Sequence, residues 1–166
     1  MRFNWPWRNQ PVGVLMVCRA NVCRSPMAEA LLQHRLREAG IGGRVKVGSA
    51  GTHVSPRPLP RDRRAVQALA EKGIRMKQRS ARKIRATDFE RQEFILAMDR
   101  SILATLLKTC PQSDKYKVHL ITEFSVSHHR LDVPDPYYGS ITGFEEVLEL
   151  LDDSIDGLLK ILLSGH

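Results

Sequence analysis

The chain has 166 residues, of which 42% are hydrophobic and 27% are charged. Such a chain can bury a core of its own as one globular domain, which excludes a disordered tail protein, a collagen-like chain and a disulfide scaffold. No run approaches about 20 consecutive apolar residues, so the sequence predicts no membrane-spanning helix. The net charge of +8 is unusual and indicates an anionic partner, such as nucleic acid, a membrane surface or a phosphorylated ligand.

The positive charge is concentrated in one stretch of the chain. Residues 57–85 contain eleven lysines or arginines and two acidic residues, whereas the remainder has fifteen basic and sixteen acidic residues. Three cysteines do not form a disulfide framework, and no spacing of Cys and His completes a zinc site, so we expect no metal and no cofactor. The N-terminus has no apolar signal segment, and we therefore expect a cytoplasmic protein with reduced thiols.

In chain order, the sequence predicts strands that alternate with helices, after a tail at residues 1–10 and within a domain at residues 11–166. Ser25 and Pro26 are expected to be the N-cap and first residue of the first helix, and Thr142 with Glu145 to form a capping box at the last. The strands are predicted at 12–17, 44–49, 94–98 and 118–121, and the helices at 25–40, 62–72, 99–108 and from 142 onward. This alternation indicates an α/β fold with a parallel sheet and helices on both faces.

The loop after the first strand is where chemistry is expected, because ligands of parallel sheets bind beyond the carboxyl ends of the strands. Its backbone N–H groups and the N-terminus of the following helix can cradle a phosphate. That position favours a nucleophilic thiolate at Cys18, and Arg24 can hold two phosphate oxygens. Ser25 is expected to stabilise the thiolate, and Asn21 to lock the shape of the loop.

The segment from Cys18 to Pro26, followed by Met27-Ala28-Glu29, resembles the signature loop of the low-molecular-weight protein tyrosine phosphatases. The resemblance covers about residues 12–163 and continues at Ser49-Ala50-Gly51-Thr52, Ala97-Met98-Asp99 and Pro134-Asp135-Pro136-Tyr137-Tyr138. It implies a single domain with a four-stranded parallel sheet. It also implies hydrolysis of phosphotyrosine through a cysteinyl-phosphate intermediate, without a metal.

The resemblance implies a role for each matched residue. Cys18 is the nucleophile, Arg24 binds the phosphate, and Asp135 is the general acid and then the general base. Cys23 is a second cysteine that can form a reversible disulfide with the nucleophile. The other expected contacts with substrate or phosphate are Arg19, Ala20, Asn21, Val22, Cys23, Ser25, Tyr137 and Tyr138.

The sequence departs from the family pattern at several positions. Ala20 stands where many members have Gly, Ser55 where many have a pocket-wall Trp, and Arg79 where a structural His is common. Val22 replaces the Thr of relatives that act on phosphoarginine, so a phosphotyrosine protein is the expected substrate, with a bacterial-type tyrosine kinase as one candidate. Arsenate reductases share the loop but need a further cysteine pair, and only Cys110 remains here.

A nucleic-acid-binding module is the rival interpretation of residues 57–85. This segment has no aromatic residue between its basic side chains, so stacking on bases is disfavoured and no nucleic acid is expected. We expect the segment instead to attract acidic, phosphorylated substrates.

Membrane contact by the tail, with Trp5 and Trp7, is not favoured, and His128-His129 is expected to be a solvated loop rather than a ligand pair. A monomer or weak dimer is expected.

Overall fold

The computed structural model describes residues 10–57, 59–127 and 132–165. Residues 1–9 of the tail expected at residues 1–10, and His128-His129, therefore lie outside the described residues. The strands are β1 (Val12–Cys18), β2 (Val45–Gly51), β3 (Phe94–Ala97) and β4 (Val118–Leu120). The α-helices are α1 (Arg24–Glu38), α2 (Arg63–Glu71), α3 (Ala86–Arg91), α4 (Arg100–Thr109) and α5 (Ile141–Ser164), with 3₁₀ turns at Gln112–Lys117 and Ile121–Phe124.

The four strands form one parallel sheet in the order β2-β1-β3-β4. All seven residues of β1 are buried, as is typical of a central strand of a parallel sheet. Val14 and Met16 pack with α1 and α5 on one face of the sheet, whereas Leu15 and Val17 pack with α4 on the other. Helices on both faces of a four-stranded parallel sheet confirm the predicted fold class.

Two predicted helix starts are wrong. The N-cap of α1 is Cys23 rather than Ser25, because the Met27 N–H already donates to the Cys23 C=O at 3.0 Å. Pro26 is therefore the third residue of the helix and lies in its first turn, where its missing N–H would have no acceptor in any case. The Ser25 hydroxyl points instead at the Cys18 sulfur, 3.0 Å away.

The last helix begins at Ile141 with Ser140 as its N-cap, so the predicted capping box of Thr142 and Glu145 is also wrong. The Gly143 N–H donates to the Ser140 C=O at 3.1 Å, which places the first turn ahead of Thr142. Helix α3 has no counterpart among the predicted elements. It has six largely polar residues and is set by local bonds, because the Asp88 carboxylate accepts the Arg85 N–H at 2.8 Å.

The register of the sheet brings the ends of three strands together. Cys18, the last residue of β1, lies opposite Gly51 on β2, and Val17 lies opposite Ala97 on β3. A Cβ on Gly51 would come within 2.6 Å of the Arg19 carbonyl oxygen, so only glycine permits this close approach. The loop after β1 is thereby held between the chain segments that leave β2 and β3. Within the described part of the chain, no helix combines the length and the apolar character needed to cross a membrane.

Candidate active site

The loop between Cys18 and α1 turns at Asn21, which has φ of 57° and is the one non-glycine residue with positive φ among those described. Asparagine accepts this left-handed conformation more readily than most residues. Its side-chain Nδ2 donates to the Ser25 and Ser49 hydroxyls, each at 2.9 Å, and its Oδ1 accepts the Arg82 N–H at 3.0 Å. These three contacts, two of them buried and the one with Arg82 partly buried, fix the turn from both sides.

Two loop carbonyls are bound by the backbone that follows β2. The Thr52 N–H donates to the Cys18 C=O at 3.0 Å, and the His53 N–H donates to the Arg19 C=O at 2.8 Å. In a planar trans peptide the N–H points opposite to the C=O of the same unit. The N–H groups of Arg19 and Ala20 therefore face away from that backbone. Ala20 keeps a negative φ, so its Cβ is accommodated where many family members have glycine.

Two further loop carbonyls, those of Asn21 and Val22, are bound by the segment that leads into α2. The Arg61 guanidinium donates to the Asn21 C=O, and the Asp62 N–H donates to the Val22 C=O at 3.0 Å. By the same peptide geometry, the N–H groups of Val22 and Cys23 point to the opposite side. With the two preceding N–H groups, they form a concave row of donors of the kind that binds anions.

Cys18 is buried at the start of this row of donors. Its Sγ accepts the Asn21 N–H at 3.2 Å and lies 3.0 Å from the Ser25 Oγ. The Ser25 hydroxyl also lies 3.2 Å from the Ala50 C=O, so its proton can turn to either acceptor. A thiolate at Cys18 would thus receive a backbone and a hydroxyl hydrogen bond.

Arg24 is 4% exposed, and its guanidinium is held by three oxygens. Nη1 donates to the Asp99 carboxylate at 2.6 Å and to the Val133 C=O at 2.9 Å, and Nη2 donates to the Asp135 carboxylate at 3.2 Å. Asp99 also accepts the Ile102 N–H at 2.8 Å at the start of α4, which fixes the carboxylate. Asp99 is absent from the predicted site residues, although it ends one of the segments that carry the resemblance.

The loop residues surround one cleft of about 440 Å³. Its lining consists of Cys18, Arg19, Ala20, Val22, Cys23, Arg24, Leu59, Asp135, Tyr137 and Tyr138. The two tyrosine rings meet edge to face with centroids 5.0 Å apart, and Tyr138 is 95% exposed. Leu59 was not predicted; the available signal was an apolar residue between the prolines of an otherwise polar loop.

Arg64 on α2 holds the tyrosine-bearing loop. Its guanidinium donates to the Tyr137 and Gly139 carbonyls, each at 2.8 Å, and binds Asp62 at 2.8 Å. These bonds fix the position of the tyrosine-lined wall of the cleft relative to α2.

Cys23, the predicted redox partner, lies beside a carboxylate. Its Sγ donates to Asp62 Oδ2 at 3.6 Å. Burial, followed by the negative charge of Asp62, raises the pKa of the Cys23 thiol well above its ordinary value, so Cys23 stays protonated at neutral pH. Burial raises the pKa of Asp62, but the hydrogen bonds from Arg64 outweigh it and the net effect lowers that pKa. All three cysteines are free thiols in the structure.

This α/β domain, with a cysteine at the base of an anion cradle and a buried arginine at its rim, has the architecture of a cysteine-dependent phosphatase. Residues 13–164 match the model of the family described as "Low molecular weight phosphotyrosine protein phosphatase". The chain belongs to this family. Membership confirms the predicted family and the predicted class of enzyme, a hydrolase of phosphoric monoesters.

Three similar proteins illustrate the relationship. A low molecular weight protein-tyrosine-phosphatase of Streptomyces coelicolor is 39% identical over 149 residues, which cover 88% of this chain and 90% of that protein. A protein tyrosine phosphatase of Entamoeba histolytica, solved with Hepes in its active site, has a TM-score of 0.88 at 30% identity, covering 93% of this chain and 98% of that one. YwlE of Bacillus subtilis, an arginine phosphatase, has a TM-score of 0.82 at 30% identity, covering 92% and 99%.

Proposed function

We propose that the protein hydrolyses phosphotyrosine in proteins through a cysteinyl-phosphate formed on Cys18. The observation that carries this proposal is the convergence of Cys18, Arg24 and Asp135 on one cleft whose floor is a row of backbone donors. A phosphate seated on those donors has its phosphorus next to the sulfur. The donors and Arg24 neutralise the charge on the phosphate oxygens.

In the first step the Cys18 thiolate attacks phosphorus, the S–P bond forms and the P–O bond to the tyrosine breaks. Asp135 donates a proton to the departing phenolate oxygen. Asp135 is half-exposed and lies 3.2 Å from Arg24 Nη2, so an incoming phosphate competes for Arg24 and releases Asp135 toward the leaving group. The Asp135 carboxylate also accepts the Tyr137 N–H at 3.1 Å, which holds it near the mouth.

In the second step a water molecule attacks the phosphorus of the cysteinyl-phosphate. Asp135 takes a proton from that water, inorganic phosphate forms and the S–P bond breaks. The electron pair returns to Cys18, where the Ser25 hydroxyl and the Asn21 N–H stabilise the thiolate. Arg24 and the loop amides stabilise the negative charge on the phosphate oxygens, and these two donors stabilise the charge on the Cys18 sulfur.

The walls of the cleft favour an aromatic phosphate ester. Tyr137, Tyr138 and Leu59 offer apolar surface against which a phenol ring can pack. Val22 presents no hydroxyl to a guanidino group, so phosphotyrosine is favoured over phosphoarginine despite the similarity to the arginine phosphatase. Ser55 does not line the cleft, and Leu59 supplies apolar surface there.

The substrate is proposed to be an acidic phosphotyrosine protein, with a bacterial-type tyrosine kinase as one candidate. Arg19 is exposed at the mouth of the cleft, and Arg57 and Arg63 are exposed on the neighbouring basic segment. We place the enzyme in the cytoplasm, because the nucleophile must remain a reduced thiol. A monomer or weak dimer remains our expectation for its oligomeric state. Residues 11–166 form the catalytic domain in this proposal, and residues 1–10 the tail.

The test compares hydrolysis of phosphotyrosine, phosphoserine and phosphoarginine peptides by the wild type, Cys18→Ser and Asp135→Asn. We expect turnover of the phosphotyrosine peptide alone and complete loss with Cys18→Ser. Asp135→Asn should lower kcat about 10²-fold or more for phosphotyrosine, but much less for an aryl phosphate whose phenolate leaves without a proton. Activity that survives Cys18→Ser would refute the mechanism, and preference for phosphoarginine would refute the substrate.

A further inference from the structure

Arg61 is a buried arginine that the mechanism above does not use. It is 6% exposed and is absent from the lining of the substrate cleft. It lies behind the catalytic loop against α1, where Pro26, Glu29 and Met76 share a cavity of about 10 Å³ with it. That cavity has room for about one water molecule at most, so the guanidinium is largely cut off from solvent.

The bonds of Arg61 do not compensate fully for this burial. The guanidinium donates to the Asn21 C=O, and its Nε has no partner among the described residues. The Arg61 guanidinium also forms no ion pair with any of the described residues. A buried positive charge with so few partners destabilises the fold unless an anion lies nearby.

The charged groups that face Arg61 come from three segments. Burial lowers the pKa of the guanidinium, the negative charges of Glu29 on α1 and of Cys18 raise it, and Arg79 lowers it. Lys77 lines the same small cavity. The Cys18 thiolate and a bound phosphate are therefore anions that Arg61 would attract from beneath the loop.

The contact between Arg61 and Asn21 also sets the direction of a donor. Four loop carbonyls are bound from outside, and among these contacts Arg61 alone acts through its side chain, while Thr52, His53 and Asp62 act through backbone N–H groups. Holding the Asn21 C=O toward Arg61 aims the Val22 N–H, in the same planar peptide unit, at the cleft.

We propose that Arg61 is a positioning residue for phosphate recognition, which aims the Val22 N–H at the phosphate and, in addition to Arg24, supplies a second cation beneath the anion cradle. The proposal rests on the proposed function for its substrate, but it concerns the binding of any tetrahedral phosphate-like anion in the cleft. It predicts that the loop binds phosphate weakly without this side chain, even when the fold is intact.

The test measures the dissociation constant of inorganic phosphate by calorimetry, together with kcat and KM for a small aryl phosphate. Arg61→Met keeps the length and removes the charge, and Arg44→Met is the matched control because Arg44 is exposed just before β2, away from the cleft. We expect Arg61→Met to weaken phosphate binding about tenfold or more, as for loss of a charged hydrogen-bonding group, while Arg44→Met stays within about twofold. Urea unfolding of both variants shows whether the measured protein is folded.

Chemical rescue separates this role from a purely structural one. In Arg61→Gly, free guanidinium at concentrations far below denaturing ones should restore phosphate binding, and sodium chloride of equal ionic strength should not. Phosphate affinity that is unchanged in folded Arg61→Met, or that salt restores as well as guanidinium, overturns the proposal. Because binding is measured without turnover, a wild type that binds phosphate through Arg61 but leaves phosphotyrosine intact would refute the proposed function alone.

Discussion

Asn21 carries the most demanding test of how the catalytic loop is held. Its backbone is in the left-handed region, and its side chain makes three hydrogen bonds, two buried and one partly buried. Asn21→Gly removes the side chain but accepts the backbone conformation, whereas Asn21→Ala removes the side chain and also strains the backbone. The two variants therefore separate the hydrogen bonds from the strain.

The expected magnitudes follow from these contacts. Each of these hydrogen bonds contributes about 1 kcal/mol, so losing three of them costs roughly 3 kcal/mol in both variants. Alanine adds a cost of ~1–2 kcal/mol for the left-handed conformation, whereas glycine adds ~0.5–1 kcal/mol through its more flexible unfolded state. Asn21→Ala should thus be less stable than Asn21→Gly, by up to about 1.5 kcal/mol.

The assay is urea unfolding of the wild type and both variants, extrapolated linearly to water, with kcat for an aryl phosphate measured in parallel. Both variants should lose activity, because the Asn21 N–H and the Ser25 hydroxyl would no longer be held at the Cys18 sulfur. If both variants unfold within about 1 kcal/mol of the wild type, the hydrogen-bond argument is refuted. If Asn21→Ala is the more stable variant, the strain argument is refuted.

Three further predictions concern packing, pH and salt. Gly157→Ala should lower the unfolding free energy by about 2 kcal/mol despite alanine's better helix propensity, since its Cβ would come within 1.7 Å of the Phe124 carbonyl oxygen, whereas the unobstructed Gly43→Ala should not. Burial raises the pKa of Asp88, but hydrogen bonds from Arg82 outweigh it and hold that pKa below its ordinary 3.8. The stability from this carboxylate is therefore present above about pH 3.8 and lost as pH falls further, and Asp88→Asn should flatten that acid dependence in urea titrations. Rising salt should raise KM for an acidic phosphopeptide far more than KM for a small aryl phosphate. Equal increases of the two KM values would refute a role of the basic segment in substrate capture.

Much of the fold was predictable because its signals are local. Apolar runs and, at residues 44–49, an alternating pattern marked the four strands, and their alternation with helices specified a parallel sheet. Helix α3 was missed because six residues with one large apolar side chain, Phe89, carry no apolar period. Asp88 caps the helix through contacts that propensity does not reveal. The start of α1 was misplaced because Ser25, a favoured N-cap residue, bonds to the Cys18 sulfur instead.

The candidate site was predictable along the loop, and the resemblance also indicated Asp135, Tyr137 and Tyr138, which line the cleft. The residues that hold the loop from behind were not predictable. The nucleophile and the arginine lie within eight consecutive residues, where their spacing is visible. Asp99, Arg61 and Asp62 act on the loop from distant parts of the chain, and only the register of the sheet and the packing of α2 bring them there. No local pattern marks an arginine in a basic segment as buried.

The basic segment at residues 57–85 shows how a composition signal can have two physical origins. A net excess of positive charge indicates an anionic partner only where its side chains are free to meet one. In this segment Arg61 holds the Asn21 carbonyl, Arg64 holds Asp62 and the tyrosine loop, and Arg82 pairs with Asp88. These arginines build the frame of the anion site from behind, whereas Arg57 and Arg63 are exposed beside it. Neutralising the exposed arginines should therefore change the capture of acidic substrates, whereas neutralising Arg61 should change the binding of phosphate itself.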